Sequence, residues 1–139
     1  MKMKIFPSLF IFISMTVLNP SLTFAETILE CIGTMRTDIT NGSDIDAGEP
    51  SPITVLYVLK EDSIIIQSSK IPLSEKTETN YFWFYSPKDK IKHFDIISGD
   101  LNRVNGKTYF RKTYNLDRDS SRYMEDIFKG ECNETTTRF

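Results

Sequence analysis

Cys31-Ile32-Gly33 near the start of the chain and Gly130-Glu131-Cys132 near its end are mirror images, and they contain the only two cysteines. Residues i and i+2 of a strand share a face. If the two segments lie antiparallel with Cys31 opposite Cys132, Gly33 therefore falls opposite Gly130 on that same face. This single register constrains the fold more than any other feature. It predicts that the first and last strands of one domain are neighbours, joined by a disulfide. The loop so closed is about 100 residues long, worth on the order of 4 kcal/mol by loss of chain entropy in the unfolded state.

A disulfide of this kind belongs to an oxidising compartment, and the N-terminus agrees. Lys2 and Lys4 precede an apolar stretch, Ile5 to Leu18, which Pro7 and Ser8 interrupt. Asn19-Pro20 ends it, and Thr23-Phe24-Ala25 offers a small residue for a peptidase. This is the layout of a secretory signal peptide covering residues 1–25. The apolar run is shorter than the roughly 20 residues needed to span a bilayer, and no second long apolar segment follows. The expectation is a periplasmic or secreted chain with no transmembrane segment after signal removal, and a single β domain over 26–139. Loss of Lys2 and Lys4 takes the formal net charge from −2 to −4, which argues against nucleic acid as a partner. Asn41-Gly42-Ser43 and Asn133-Glu134-Thr135 match the N-glycosylation pattern, but the short lysine-led start reads as bacterial.

Most of the apolar pattern has period two, the mark of strands. Leu29, Cys31, Gly33 and Met35 share a face. Thr37 to Pro52 is polar and reads as a long loop. Ile53 to Leu59 and Ile64 to Gln67 read as a hairpin about Lys60-Glu61-Asp62-Ser63. Ser68 to Thr79 is polar, and Pro72 disfavours a central strand there. Tyr81-Phe82-Trp83-Phe84-Tyr85 is the strongest strand signal, with Tyr81, Trp83 and Tyr85 on one face and Phe82 and Phe84 on the other. Ser86-Pro87-Lys88-Asp89 suits a type I turn, and Ile91 to Ile97 reads as a strand. Asn105-Gly106 is the best hairpin signal; a two-residue turn there sets Arg103 opposite Thr108 and Leu101 opposite Phe110. Asp119 to Phe128 fits a short helix capped by Asp119 or Ser120, or a strand. The strand from about Met124 is preferred because it completes the cysteine register. The expected fold is all-β: a small antiparallel β-barrel or sandwich of about seven or eight strands.

No catalytic set emerges, and the expectation is a non-enzyme. His93 is the only histidine. Asp95 shares its face in a strand, Ser98 does not, and no Gly-x-Ser-x-Gly elbow is present. The acidic loop with Asn41, Ser43, Asp44, Asp46 and Glu49 has oxygen ligands of the kind calcium takes, but its spacing does not fit a calcium loop. No metal and no cofactor are expected. The aromatic strand and the basic residues around it form the candidate binding surface: Tyr81, Trp83, Tyr85, Lys88, Lys90, Lys92, Arg103 and Lys107. A large ring face that is not core marks a partner surface or a ligand cavity. The acids from Asp38 to Asp62 and the bases from Lys88 to Lys112 suggest a bipolar molecule.

Asp100-Leu101-Asn102-Arg103-Val104-Asn105-Gly106-Lys107 and Phe128-Lys129-Gly130-Glu131-Cys132 together resemble a pattern of small exported bacterial proteins. In these, an Asn/Asp-Arg-x-Thr/Asn-Gly turn precedes a final Gly-x-Cys that is matched by an early Cys-x-Gly. The resemblance covers the two ends and one hairpin and implies export and fold. The format is also similar to that of periplasmic lysozyme inhibitors, small disulfide-bearing β-barrels. Their Ser-Gly-x-x-Tyr segment has no counterpart, since Ser98-Gly99 is followed by Asp100, Leu101 and Asn102, and no inhibitory residue carries over. The function expected is an exported binding module meeting a protein or cell-envelope component. The alternative is a lipocalin-like carrier of a small apolar ligand, suggested by rings on both faces of Tyr81 to Tyr85.

Overall fold

The computed structural model describes residues 26–87, 95–116 and 121–135. Among these, nine strands form one antiparallel sheet: β1 (Thr27–Asn41), β2 (Asp44–Ala47), β3 (Ser51–Leu59), β4 (Ser63–Ile66), β5 (Ser69–Lys76), β6 (Asn80–Tyr85), β7 (Ile96–Asn102), β8 (Lys107–Asn115) and β9 (Arg122–Glu134). The order is β2-β1-β3-β4-β5-β6-β7-β8-β9, and β1 also pairs with β9. Eight strands thus close a barrel, with β2 as an additional strand. Closure leaves the barrel wall without a free edge. The long strand β1 makes this arrangement work. On one side it pairs with β9 from Leu29 to Asn41. On the other, Thr27–Met35 pair with β3, and Asp38–Asn41 pair with β2.

The cysteine register holds as the sequence dictates: Cys31 pairs with Cys132 and Gly33 with Gly130, and the disulfide is formed. Three local expectations are corrected, and the strand preferred for the terminal segment is found. The polar stretch from Thr37 is not all loop. Thr37 to Asn41 stays in β1 because β9 offers it a partner strand, and Gly42, at φ 64°, turns the chain into β2. Ser68 to Thr79 contains β5 despite Pro72. Pro72 pairs with Ser63 of β4, and pairing with β6 begins only at Leu73, so the proline is spared a second ladder. The β7–β8 connection is four residues, not two, and Leu101 faces Thr108. The terminal segment is strand from Arg122; a helix over Asp119 to Phe128 is excluded by the described part of that span, while Asp119 and Ser120 lie outside the described residues. So do residues 91–94 of the strand expected from Ile91, and β7 is described from Ile96.

Inside the barrel, Tyr57 meets Trp83 edge-on at 6.0 Å between centroids, and Phe110 stacks on Phe128 at 5.1 Å. Ile64, Ile66, Ile71 and Ile97 complete a core with no exposure. Burying such side chains contributes about 1.5–3 kcal/mol each. The Tyr57 hydroxyl bonds Thr108 Oγ1 at 3.0 Å, and Thr108 Oγ1 donates to the Asp100 carbonyl. Since threonine has one proton to give, Tyr57 is the donor in the first bond. The centre of the barrel is therefore filled.

Candidate functional site at the barrel mouth

The disulfide end of the barrel is open. A cavity of about 520 Å³ is lined there by Leu29, Leu59, Tyr81, Leu101, Cys132 and the Arg103–Gly106 turn, with Thr27, Asn102, Asn133 and Glu134 at its margin. Asn102 builds this site. Its side-chain oxygen accepts from the backbone N–H groups of Val104 (2.9 Å) and Asn105 (3.0 Å), and its carbonyl accepts from Gly106 (2.9 Å). This is an asparagine-nucleated turn, and it accounts for the four-residue connection. Gly106 is at φ 73°, where a side chain is strained. Its carbonyl accepts from the N–H of Cys132 (2.9 Å). The turn is thereby pinned to the disulfide-bearing strand.

Arg103 crosses the mouth. Its guanidinium carbon is 4.8 Å from the centroid of the Tyr81 ring, and Nη1 donates to the Thr77 carbonyl at 3.0 Å. Lys76 Nζ approaches the same ring at 5.4 Å. Two cations at one ring and an arginine fixed at its base make a preorganised positive site. Below it lie Leu29, Leu59 and Leu101. The site thus offers an apolar floor, an aromatic wall, the side chains of Asn105 and Asn133, and one oriented guanidinium.

The sequence-predicted surface is divided by the fold. Tyr81 and Arg103 meet at the mouth. Trp83 is 2 % exposed and belongs to the core. Tyr85 is half-buried and packs on the core toward the far end. The aromatic strand turns Phe82 and Phe84 outward instead, Phe84 with 61 % exposure. Alternation fixed the two sets of rings, but which set faces in depends on barrel closure. Lys107 is exposed on the wall, across from Glu131. Lys88, Lys90 and Lys92 lie outside the described residues, as does His93. What the sequence reading missed was Asn102 as the organiser of the turn; the run Asn102-Arg-Val-Asn-Gly106 carried that signal.

At the other end the interior is polar. Lys112, on the inward face of β8, is buried and donates to Gln67 Oε1. Gln67 and Ser68 form the β4–β5 turn, both at positive φ. Asp126 accepts from Thr37 Oγ1 (2.6 Å) and from the Tyr114 hydroxyl (3.0 Å). Burial pushes the Lys112 ammonium below its ordinary range, with Asp126 acting in the opposite sense. Burial, then the charge of Asp126 and its hydrogen bond, push the Tyr114 phenol up to about 12. The acids of the Asp38–Asp62 stretch do not gather. Asp38 is buried against Arg36 and the Gly48 N–H, Asp44 and Asp46 are on β2, and Glu61 and Asp62 are in the β3–β4 turn. Among the described residues, no three His, Cys, Asp or Glu side chains converge on a metal position.

Comparison with protein-family models, with curated proteins and with solved structures returns no match to this chain.

Proposed function

We propose that this chain is an exported, non-enzymatic binding module whose barrel mouth receives a group displayed by a protein or cell-envelope component. One observation carries the reading: the cavity of about 520 Å³ has Arg103 already held over Tyr81 by Thr77. A guanidinium ordered in the unbound protein spends little further entropy on binding. The site suits an acidic group carried on an apolar or ring-bearing body. The disulfide favours a periplasmic or secreted setting, where such bonds persist, and the signal-like residues 1–25 point the same way. The filled barrel centre supports recognition at the rim over a deep ligand channel. A lipocalin-like carrier of a small apolar ligand is the second reading, favoured by the Leu29, Leu59 and Leu101 floor.

The test is photo-crosslinking in the native host, with the crosslinker at Val104, which is 78 % exposed beside the mouth. A discrete adduct from Val104, lost with Arg103→Glu and not formed from Tyr109 on the wall, is the expected result. No adduct, or the same adducts from both positions, overturns the proposal. An apolar ligand retained in native mass spectra of the host-derived protein would favour the carrier.

A further inference from the structure

The barrel wall has two unlike sides. Outward positions of β8 and β9 carry Lys107, Arg111, Glu125, Lys129 and Glu131, and Arg111 pairs with Glu125 at 3.6 Å. On β1, β3 and β4 several adjacent outward positions are apolar, with Glu30 and Thr54 among them. Ile28, Val58 and Ile65 lie side by side across the three strands, and the same row continues to Lys70 of β5. In the neighbouring row Leu56 stands opposite Glu30, and beyond it is Ile32. Ile32 is 60 % and Leu56 57 % exposed. Side chains this apolar, adjacent on one wall, mark an interaction surface.

The charges at the two flanks say what covers it. Glu30 borders the apolar patch on the β1 side and Lys70 on the β5 side. Both are exposed, and neither has an ion-pair partner among the described residues. A surface with an acid on one flank and a base on the other is complementary to itself. We propose that this wall pairs two copies of the chain about a two-fold axis. The axis lies in the interface beside Val58, oblique to β3 and passing between Leu56 and Ile65. That operation exchanges the flanks. Val58 of each copy meets its equivalent, Leu56 of one copy packs against Ile65 of the other, and Glu30 meets Lys70 of the second copy twice. Such an isologous contact closes on itself and makes dimers, not fibres. The barrel wall is convex, so the contact is small and the dimer belongs to the weak, concentration-dependent class. The pairing leaves the mouth at the barrel end open, so the dimer presents two mouths, and the inference stands independently of what the mouth binds.

Sedimentation velocity of the purified exported protein over a concentration series tests this. The expected result is a monomer–dimer equilibrium that Leu56→Glu abolishes. Glu30→Lys should weaken it by roughly tenfold or more, through like charges facing each other, and Glu30→Lys combined with Lys70→Glu should restore it. All three positions are exposed, and far-ultraviolet circular dichroism verifies that each variant is folded. A protein that stays monomeric up to about 1 mM overturns the proposal. So does a dimer indifferent to Leu56→Glu, or a charge exchange that fails to rescue.

Discussion

Gly33 and Gly130 face each other on β1 and β9, one inward position along from the Cys31–Cys132 bond. Neither has room for a side chain. A Cβ on Gly33 would stand 2.1 Å from the Lys129 carbonyl oxygen, and one on Gly130 would stand 2.6 Å from the ring of Phe128. The glycine pair lets the two strands approach and gives that ring its place against Phe110. Replacing either glycine by alanine must move backbone or displace a core ring. The expected cost is about 1–3 kcal/mol, seen as a lower urea midpoint with Trp83 fluorescence as the probe.

Replacing Cys31 and Cys132 together by serine should also lower that midpoint, by an amount equivalent to about 2–5 kcal/mol. The bond joins positions 101 residues apart, so its removal releases nearly the whole domain in the unfolded state. An unchanged midpoint on reduction would mean that the closed sheet alone holds the ends together.

The mouth turn depends on Asn102. Asn102→Ala leaves the Val104 and Asn105 N–H groups without their acceptor. Both are exposed, so water replaces the lost bonds in part, and a loss of about 1 kcal/mol is expected. Gly106→Ala should cost more, because the φ of 73° is strained for alanine and its Cβ would lie 2.4 Å from the Cys132 carbonyl oxygen. Amide exchange at Cys132, whose N–H is held by Gly106, reports both effects and should accelerate in each variant.

Alkali should unfold the protein through its buried phenols. Burial raises the Tyr57 phenol, and burial with Asp126 raises that of Tyr114 to about 12. A group whose folded pKa is raised contributes stability that is complete below its unfolded value of 10.0 and is lost as pH rises through the folded value. Lys112 works oppositely: its lowered folded pKa means that the cost of burying its charge disappears as pH rises toward 10.5. The net loss of stability therefore belongs above about pH 10. Tyr114→Phe should flatten the slope between pH 10 and 12. Urea midpoints at a series of alkaline pH values, with phenolate absorbance alongside, measure this; an unaltered slope would remove Tyr114 from the account.

What could be read directly was whatever a two-residue period and two cysteines encode. The register of Cys31 with Cys132 and of Gly33 with Gly130 follows from spacing alone, because alternation is a local rule. The all-β class, the β3–β4 hairpin and the aromatic strand follow in the same way. The rest depended on neighbours distant in sequence. Thr37 to Asn41 is strand because Arg122 to Asp126 pairs with it, and nothing in its own polarity says so. Gln67-Ser68 turns at positive φ without a glycine, with Lys112 of β8 meeting Gln67 there. Asn102 overrode the Asn105-Gly106 signal by binding two backbone N–H groups of its own turn. Barrel closure chose which rings of Tyr81 to Tyr85 face inward, which sent Trp83 to the core, set Tyr81 beneath Arg103 and left Phe84 on the wall. Alternation can name two faces, but only the closed sheet gives one of them an inside.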